Sequence, residues 1–192
     1  FVTAERVPER VLGAFAGGPS ANDWVGTLLG LNNCCTGNGN RAWYHIWENI
    51  LHHDEGKLRV NLLLNRASKW ADVNSHIPYT GQVDVKVKQP VALSMRIPEW
   101  ATPARTRVQV NAQDRAVEWD GRYAQVGDVK PADVVTMTFP IGERPRTEWV
   151  QGHRYNLVMK GNEVVSMEPA GENVPFYMRD HMKGDVGPMK TV

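Results

Sequence analysis

A chain of 192 residues that is 42% hydrophobic and 22% charged has the balance of an ordinary globular protein, with room for one large domain or one domain and part of another. Its 22 basic and 21 acidic residues leave a formal net charge of +1 with no basic block, which argues against nucleic acid or an anionic membrane as partner. The longest apolar runs, such as 62–64, are far too short to span a bilayer.

The chain opens FVTAERVPERVL, without a charged segment leading into an apolar run, and reads like the interior of a longer protein. A short helix is expected over 7–15, ended by Gly17-Gly18-Pro19. The only two cysteines, Cys34 and Cys35, are adjacent. They do not form the spread framework of a small secreted scaffold, so reduced thiols and a cytoplasmic setting are expected. The stretch Thr36-Gly37-Asn38-Gly39-Asn40 reads as a turn, with Asn38 or Asn40 placed to cap a helix over 41–53. In that helix Ala42, Trp43, Ile46, Trp47, Ile50 and Leu51 form one apolar stripe. His52 and His53 fall in its expected last turn, and Gly56 closes it. One helix cannot bury such a stripe alone and needs partner helices.

After Gly56 the hydrophobic period changes from about 3.6 to 2, the signal for strands. Leu58, Val60, Leu62 and Leu64 recur at every second position, as do Val83, Val85 and Val87, then Val91, Leu93, Met95 and Ile97. Further strands are expected over 107–111, 123–126, 134–139 and 155–159. Turn signals separate the candidates at 79–81, 89–90, 120–121, 130–131 and 160–162. The fold class expected is mainly β: an antiparallel β-sandwich, roughly 56–180, preceded by helix.

Several residues invite a chemical reading. Cys34 and Cys35 fit three: buried small hydrophobes, a strained vicinal disulfide, or two thiolates on one Zn²⁺ with a depressed pKa that makes a nucleophile. His45, Glu48 and His52, with Asn49 and His53 adjacent, have the spacing of ligands on one helix face, or of a solvated face. Glu99-Trp100 reads either as a turn whose indole stacks on a sugar or as packing at a strand end. Arg179-Asp180-His181 has no serine or cysteine nearby and reads as a structural ion pair.

The stretch CCTGNGNR, followed by Tyr44 and Trp47, resembles the Cys-Cys motif of the β-L-arabinofuranosidase group, glycoside hydrolase family 127 and its bacterial relatives. The likeness continues in order through KLRVNLLLNRASKWADV, QVDVKVKQP, LSMRIPEWA, VQVN and DGRYAQVGDVKPADVVTMTFPI to FYMRDH, or from about Cys34 to His181. The resemblance implies the last part of an (α/α)6 barrel over 1–55 and a β-sandwich domain over 56–192. It implies a retaining glycoside hydrolase in which Cys34 is the nucleophile and, with Cys35, a zinc ligand. A glutamate and a third cysteine upstream would complete the zinc site, and an upstream glutamate would be the acid/base. The partners so implied are a carbohydrate substrate and the upstream barrel of the same protein, with no nucleic acid and no membrane. Where the common motif runs Cys-Cys-Pro-Pro-Asn, this chain has Cys35-Thr36-Gly37-Asn38, so its sugar need not be arabinofuranose. With neither a third cysteine nor the upstream glutamates, the chain by itself is expected to be inactive. The other function class open at this point is a non-catalytic sandwich, either a carbohydrate-binding module or a structural support.

Overall fold

A computed structural model describes residues 33–150 and 152–170. The expected helix over 7–15 and the Arg179-Asp180-His181 tripeptide lie outside the described residues. Among the described residues no helix is long and apolar enough to cross a membrane.

A helix, α1 (Asn33–Asn49), is followed by β1 (Leu51–Asp54), β2 (Lys57–Val60), β3 (Ala71–Ser75), β4 (Gln82–Val87) and β5 (Val91–Arg96). Then come β6 (Arg107–Val110), β7 (Gln113–Asp114), β8 (Glu118–Asp120), β9 (Tyr123–Val129) and β10 (Val134–Thr138). The last three are β11 (Glu143–Val150), β12 (His153–Lys160) and β13 (Glu163–Glu168). The chain divides into two compact units. One is Tyr44–Arg146 with Leu157–Ser166; the other holds Phe1–Trp43, Thr147–Asn156 and Met167–Val192. In the second unit, Thr147 and Asn156 face each other across the β11–β12 turn, with Oγ1 and Oδ1 3.2 Å apart.

The first unit is the sandwich. One sheet runs β1-β2-β5-β9-β8 and the other β3-β4-β10-β6-β7. Every pairing within these sheets is antiparallel except β2 with β5. After β2 the chain crosses to the other sheet for β3 and β4, then returns beside β2 as β5, and such a crossover gives a parallel pair. Alternate residues of the inner strands point inward: Leu58 and Val60 from β2, Leu93 and Met95 from β5, Val83 and Val85 from β4, Val135 and Met137 from β10. All belong to one buried cluster, each contributing about 1.5–3 kcal/mol of hydrophobic stabilisation.

The alternation expected after Gly56 is seen in β2, β4, β5, β6, β9, β10 and β12. Two differences have local causes. β2 ends at Val60 because the Asn61 amide bonds Ile50 O (2.9 Å) and its side chain reaches Asn49 O (3.2 Å), so Leu62 and Leu64 leave the ladder. β9 carries a bulge: Leu93 faces Gly127 and Ser94 faces Gln125, leaving Val126 unpaired. Gly127 at φ 82° supplies the bend, and the extra residue lets Val129 return to the core out of phase with Ala124 and Val126. Gly81 has no room for a side chain, since a Cβ there would overlap the Phe139 carbonyl oxygen, and its own carbonyl accepts from the Phe139 amide (2.8 Å).

The helix differs most from expectation. It spans Asn33–Asn49, so 36–40 is helical rather than a turn, while His52 and His53 lie in β1 rather than in a last helical turn. Extending an existing helix gains one hydrogen bond per residue ordered, which lets it run through two glycines that discourage nucleation. At the other end, Glu55 (φ 45°) and Gly56 (φ 78°) form a two-residue hairpin turn that pairs Asp54 with Lys57. That pairing buries Leu51 and outcompetes another helical turn. Arg66 closes the helix: its Nη1 donates to the carbonyls of Trp47 (2.8 Å), Glu48 (2.7 Å) and Leu51 (3.3 Å), and its guanidinium lies 4.3 Å from the Trp47 ring centre. A cation there satisfies carbonyls that lack helical partners and complements the dipole.

Candidate functional site

Cys34 and Cys35 fall in the first turn of α1, and the turn expected after them at 36–40 is helical instead. Their side chains lie outside the described residues. The His45, Glu48 and His52 set is not assembled. His45 and Glu48 stay on the helix, Nδ1 3.7 Å from Oε2 and both well exposed, whereas His52 has moved to β1. His53 stacks on Trp70 instead, at 4.6 Å and 11°. Among the described residues no three His, Cys, Asp or Glu side chains converge on a metal-sized site.

Two polar features of the sandwich were not anticipated. The first is centred on Asp84 of β4. It accepts from Thr136 Oγ1 of β10 (2.7 Å) and from Gln82 Nε2 (2.9 and 3.2 Å), and it pairs with His76 Nε2 (2.9 Å). Burial pulls the carboxyl's pKa upward, but the hydrogen bonds from Thr136, Gln82 and His76 outweigh it, and the net shift is downward. Every acceptor site of Asp84 is thus turned to structure. Asp72, Asp114 and Asp133 are likewise held below the usual carboxylate range, chiefly by Lys88, by Arg107 and by the Lys130 backbone amide respectively.

The second feature is an open cleft of about 720 Å³ within the sandwich unit. The segment after β2 (Leu62 to Leu64), Ile77 and Met159 supply apolar wall, and the Glu99-Trp100 turn singled out in the sequence lies on it. Trp100 is held on several sides. Its Nε1 donates to Asn162 Oδ1 (2.7 Å), it packs edge-on with Phe139 (5.4 Å, 77°), and the Arg144 guanidinium lies 5.4 Å from its ring centre. The packing reading of Trp100 therefore holds, and the indole also faces the cleft. Arg144 donates Nη2 to Gly161 O (2.6 Å), while its Nε is buried without a partner. Around this frame stand Arg96, Glu99 and Glu163, whose side chains make no hydrogen bond or ion pair among the described residues. Arg144 and Asn162 come from β11 and the β12–β13 turn, far from Trp100 in sequence, so no local motif could have joined them.

Residues 57–141, all within the sandwich unit, match the family model described as Beta-L-arabinofuranosidase, GH127 middle domain. The fold resembles a GH127 beta-L-arabinofuranosidase from Geobacillus stearothermophilus T6, at 20% identity and a TM-score of 0.51, covering 68% of this chain and 23% of that one. It also resembles a glycoside hydrolase (20% identity, TM-score 0.56, 69% and 25% covered) and a GH127 beta-arabinofuranosidase (21%, 0.55, 68% and 25%). The chain thus spans about a quarter of the length of these relatives. No curated protein matches it.

Proposed function

Because this chain is GH127-like through a middle domain at 57–141, we propose that it is part of a retaining, β-L-arabinofuranosidase-like glycoside hydrolase in which Cys34 is the nucleophile. The observation that carries the reading is the order of features: a vicinal thiol pair on a helix, then a β-sandwich with that family match. In this proposal 1–55 is the end of the catalytic barrel and 56–192 the sandwich domain. Thiolates are ordinary ligands of Zn²⁺, so the donor chemistry of Cys34 and Cys35 fits two of its four positions. Bound zinc would keep the Cys34 sulfur ionised at neutral pH.

The Cys34 sulfur attacks the anomeric carbon. A C–S bond forms as the glycosidic C–O bond breaks, and the leaving oxygen takes a proton from a carboxylic acid in the preceding part of the protein. Water, giving its proton to the same carboxylate, then displaces the sulfur from the opposite face. Two inversions give net retention, as in enzymes that use two carboxylates. The sandwich has a supporting role, consistent with the commitment of Asp84 and Asp114 to neighbouring side chains.

The test is hydrolysis of an aryl β-L-arabinofuranoside, with metal analysis, on the full-length protein and on the 192-residue chain. Cys34→Ala in the full-length protein should reduce turnover to background, and Cys35→Ala should lower zinc content and activity together. The short chain should be inactive and bind zinc weakly. Full activity in Cys34→Ala would end the nucleophile assignment, and stoichiometric zinc in the short chain would show the ligand set to be misassigned.

A further inference from the structure

The cleft beside Trp100 has its own chemistry, unused by the reaction just proposed. Its volume, about 720 Å³, falls within the range of small-molecule sites. Part of its lining is apolar: Leu62, Leu63, Ile77 and Met159, together with Trp100. Charged groups of both signs line it as well: Arg144, Arg146, Arg96, Glu99 and Glu163, of which the last three make no side-chain hydrogen bond or ion pair among the described residues. Asn162 joins them, its side-chain oxygen committed to Trp100 and its amide nitrogen left to donate.

This combination selects among ligand classes. Two carboxylates in the lining disfavour an anion, and the arginines disfavour a cation. A purely apolar ligand would leave Arg96, Glu99 and Glu163 desolvated without compensation. A saccharide suits the mixture, because each hydroxyl both donates and accepts and one face of the ring carries only C–H groups. The C–H face meets the apolar wall and the indole, Glu99 and Glu163 accept from hydroxyls, and Arg96 and the Asn162 amide donate to them.

The frame is also fixed in advance. Trp100 is held by Asn162, Phe139 and Arg144, and Arg144 by the Gly161 carbonyl. Gly161 sits at φ 62°, and a Cβ there would press on Ile141 and Ile77 at 3.1 Å, so the turn presenting Asn162 is set by its glycine. Rigid side chains lose little entropy when a ligand arrives.

We infer that this cleft is a saccharide-binding subsite of the sandwich, separate from the Cys34 chemistry. Only the choice of the first probe, an arabinofuranose disaccharide, rests on the proposed function; xylobiose and cellobiose complete the set. Titration of the 192-residue chain by calorimetry and tryptophan fluorescence should give saturable binding of at least one of the three. Arg96→Ala and Glu163→Gln should each weaken it about tenfold, each removing a charge-assisted hydrogen bond. Both residues are at the cleft surface, so these variants remain informative even if Trp100→Ala fails to fold. Binding is read on the 192-residue chain and hydrolysis on the full-length protein, so failure of this inference is distinguishable from failure of the Cys34 assignment. Absence of saturable binding by all three sugars would overturn the inference, as would binding unaffected by both variants. Equal protection of the cleft from hydrogen exchange in the sugar-free full-length protein would assign it to contact with another part of that protein, and would also overturn it.

Discussion

The sandwich and the helix that precedes it are both amphipathic, yet only one has its apolar face covered by described partners. In the sandwich, Leu93 is 1% exposed and sits among side chains from both sheets. On α1, Trp43 is 60% and Trp47 50% exposed, and of the stripe's residues Ile50 and Leu51, both past the helix end, enter the core at 3% and 4%. Equal hydrophobicity in sequence thus corresponds to very different stabilisation, because burial rather than residue type supplies the free energy.

The largest expected effect tests this contrast directly. Leu93→Ala should destabilise the chain by about 3 kcal/mol, the transfer term plus a cavity between the sheets. Trp43→Ala, although it removes a larger side chain, should cost less than about 0.5 kcal/mol, as for other surface positions. Urea unfolding of the 192-residue chain measures both. A loss of several kcal/mol in Trp43→Ala would show that α1 is covered in solution and would erase the difference between the two regions.

The same contrast explains what could be read beforehand. Strands β2, β4, β5 and β10 were legible because their inward residues alternate without interruption and their sheet neighbours lie within the chain. Strand β3 was not, since Ala71 and Val73 stand beside Asp72 and Asn74, residues poor in strand propensity. Strand β1 was hidden by the helical stripe: Leu51 fits both periods, and pairing with β2 decides between them. The thiol pair and the Glu99-Trp100 turn stood out locally. Asp84 with Thr136, and Trp100 with Asn162, did not, because each pair joins positions more than fifty residues apart.

A middle-sized effect belongs to the sandwich and is set by pH. Asp84 has a lowered pKa in the folded state, so its stabilising contribution is present above the unfolded carboxyl value of about 3.9 and lost as pH falls through the folded value below it. The carboxyls of Asp72, Asp114 and Asp133 act in the same direction, that of exposed Asp114 being the most readily screened by salt. Denaturant midpoints should therefore fall steadily from about pH 5 downward. Asp84→Asn should be less stable than the parent at pH 7 and show a shallower acid decline. An identical slope in parent and variant would mean that the Thr136, Gln82 and His76 contacts carry no differential energy.

The smallest expected effect lies on the helix and has the opposite sign. Gly37 is exposed and helical, and a Cβ built on it meets nothing within 4 Å. Glycine in a helix interior costs about 1 kcal/mol relative to alanine, mostly through the freedom of the unfolded backbone. Gly37→Ala should therefore stabilise α1 by up to about 1 kcal/mol, seen as slower amide exchange over 37–41. The midpoint of global unfolding should hardly move, since the sandwich core carries that transition. This variant also bears on the turn that the sequence predicts at 36–40. If that stretch were a turn needing glycine, alanine would destabilise it and exchange would quicken. Slower exchange would instead support a helix continuous from the thiol pair to Asn49, whose C-terminal carbonyls Arg66 holds.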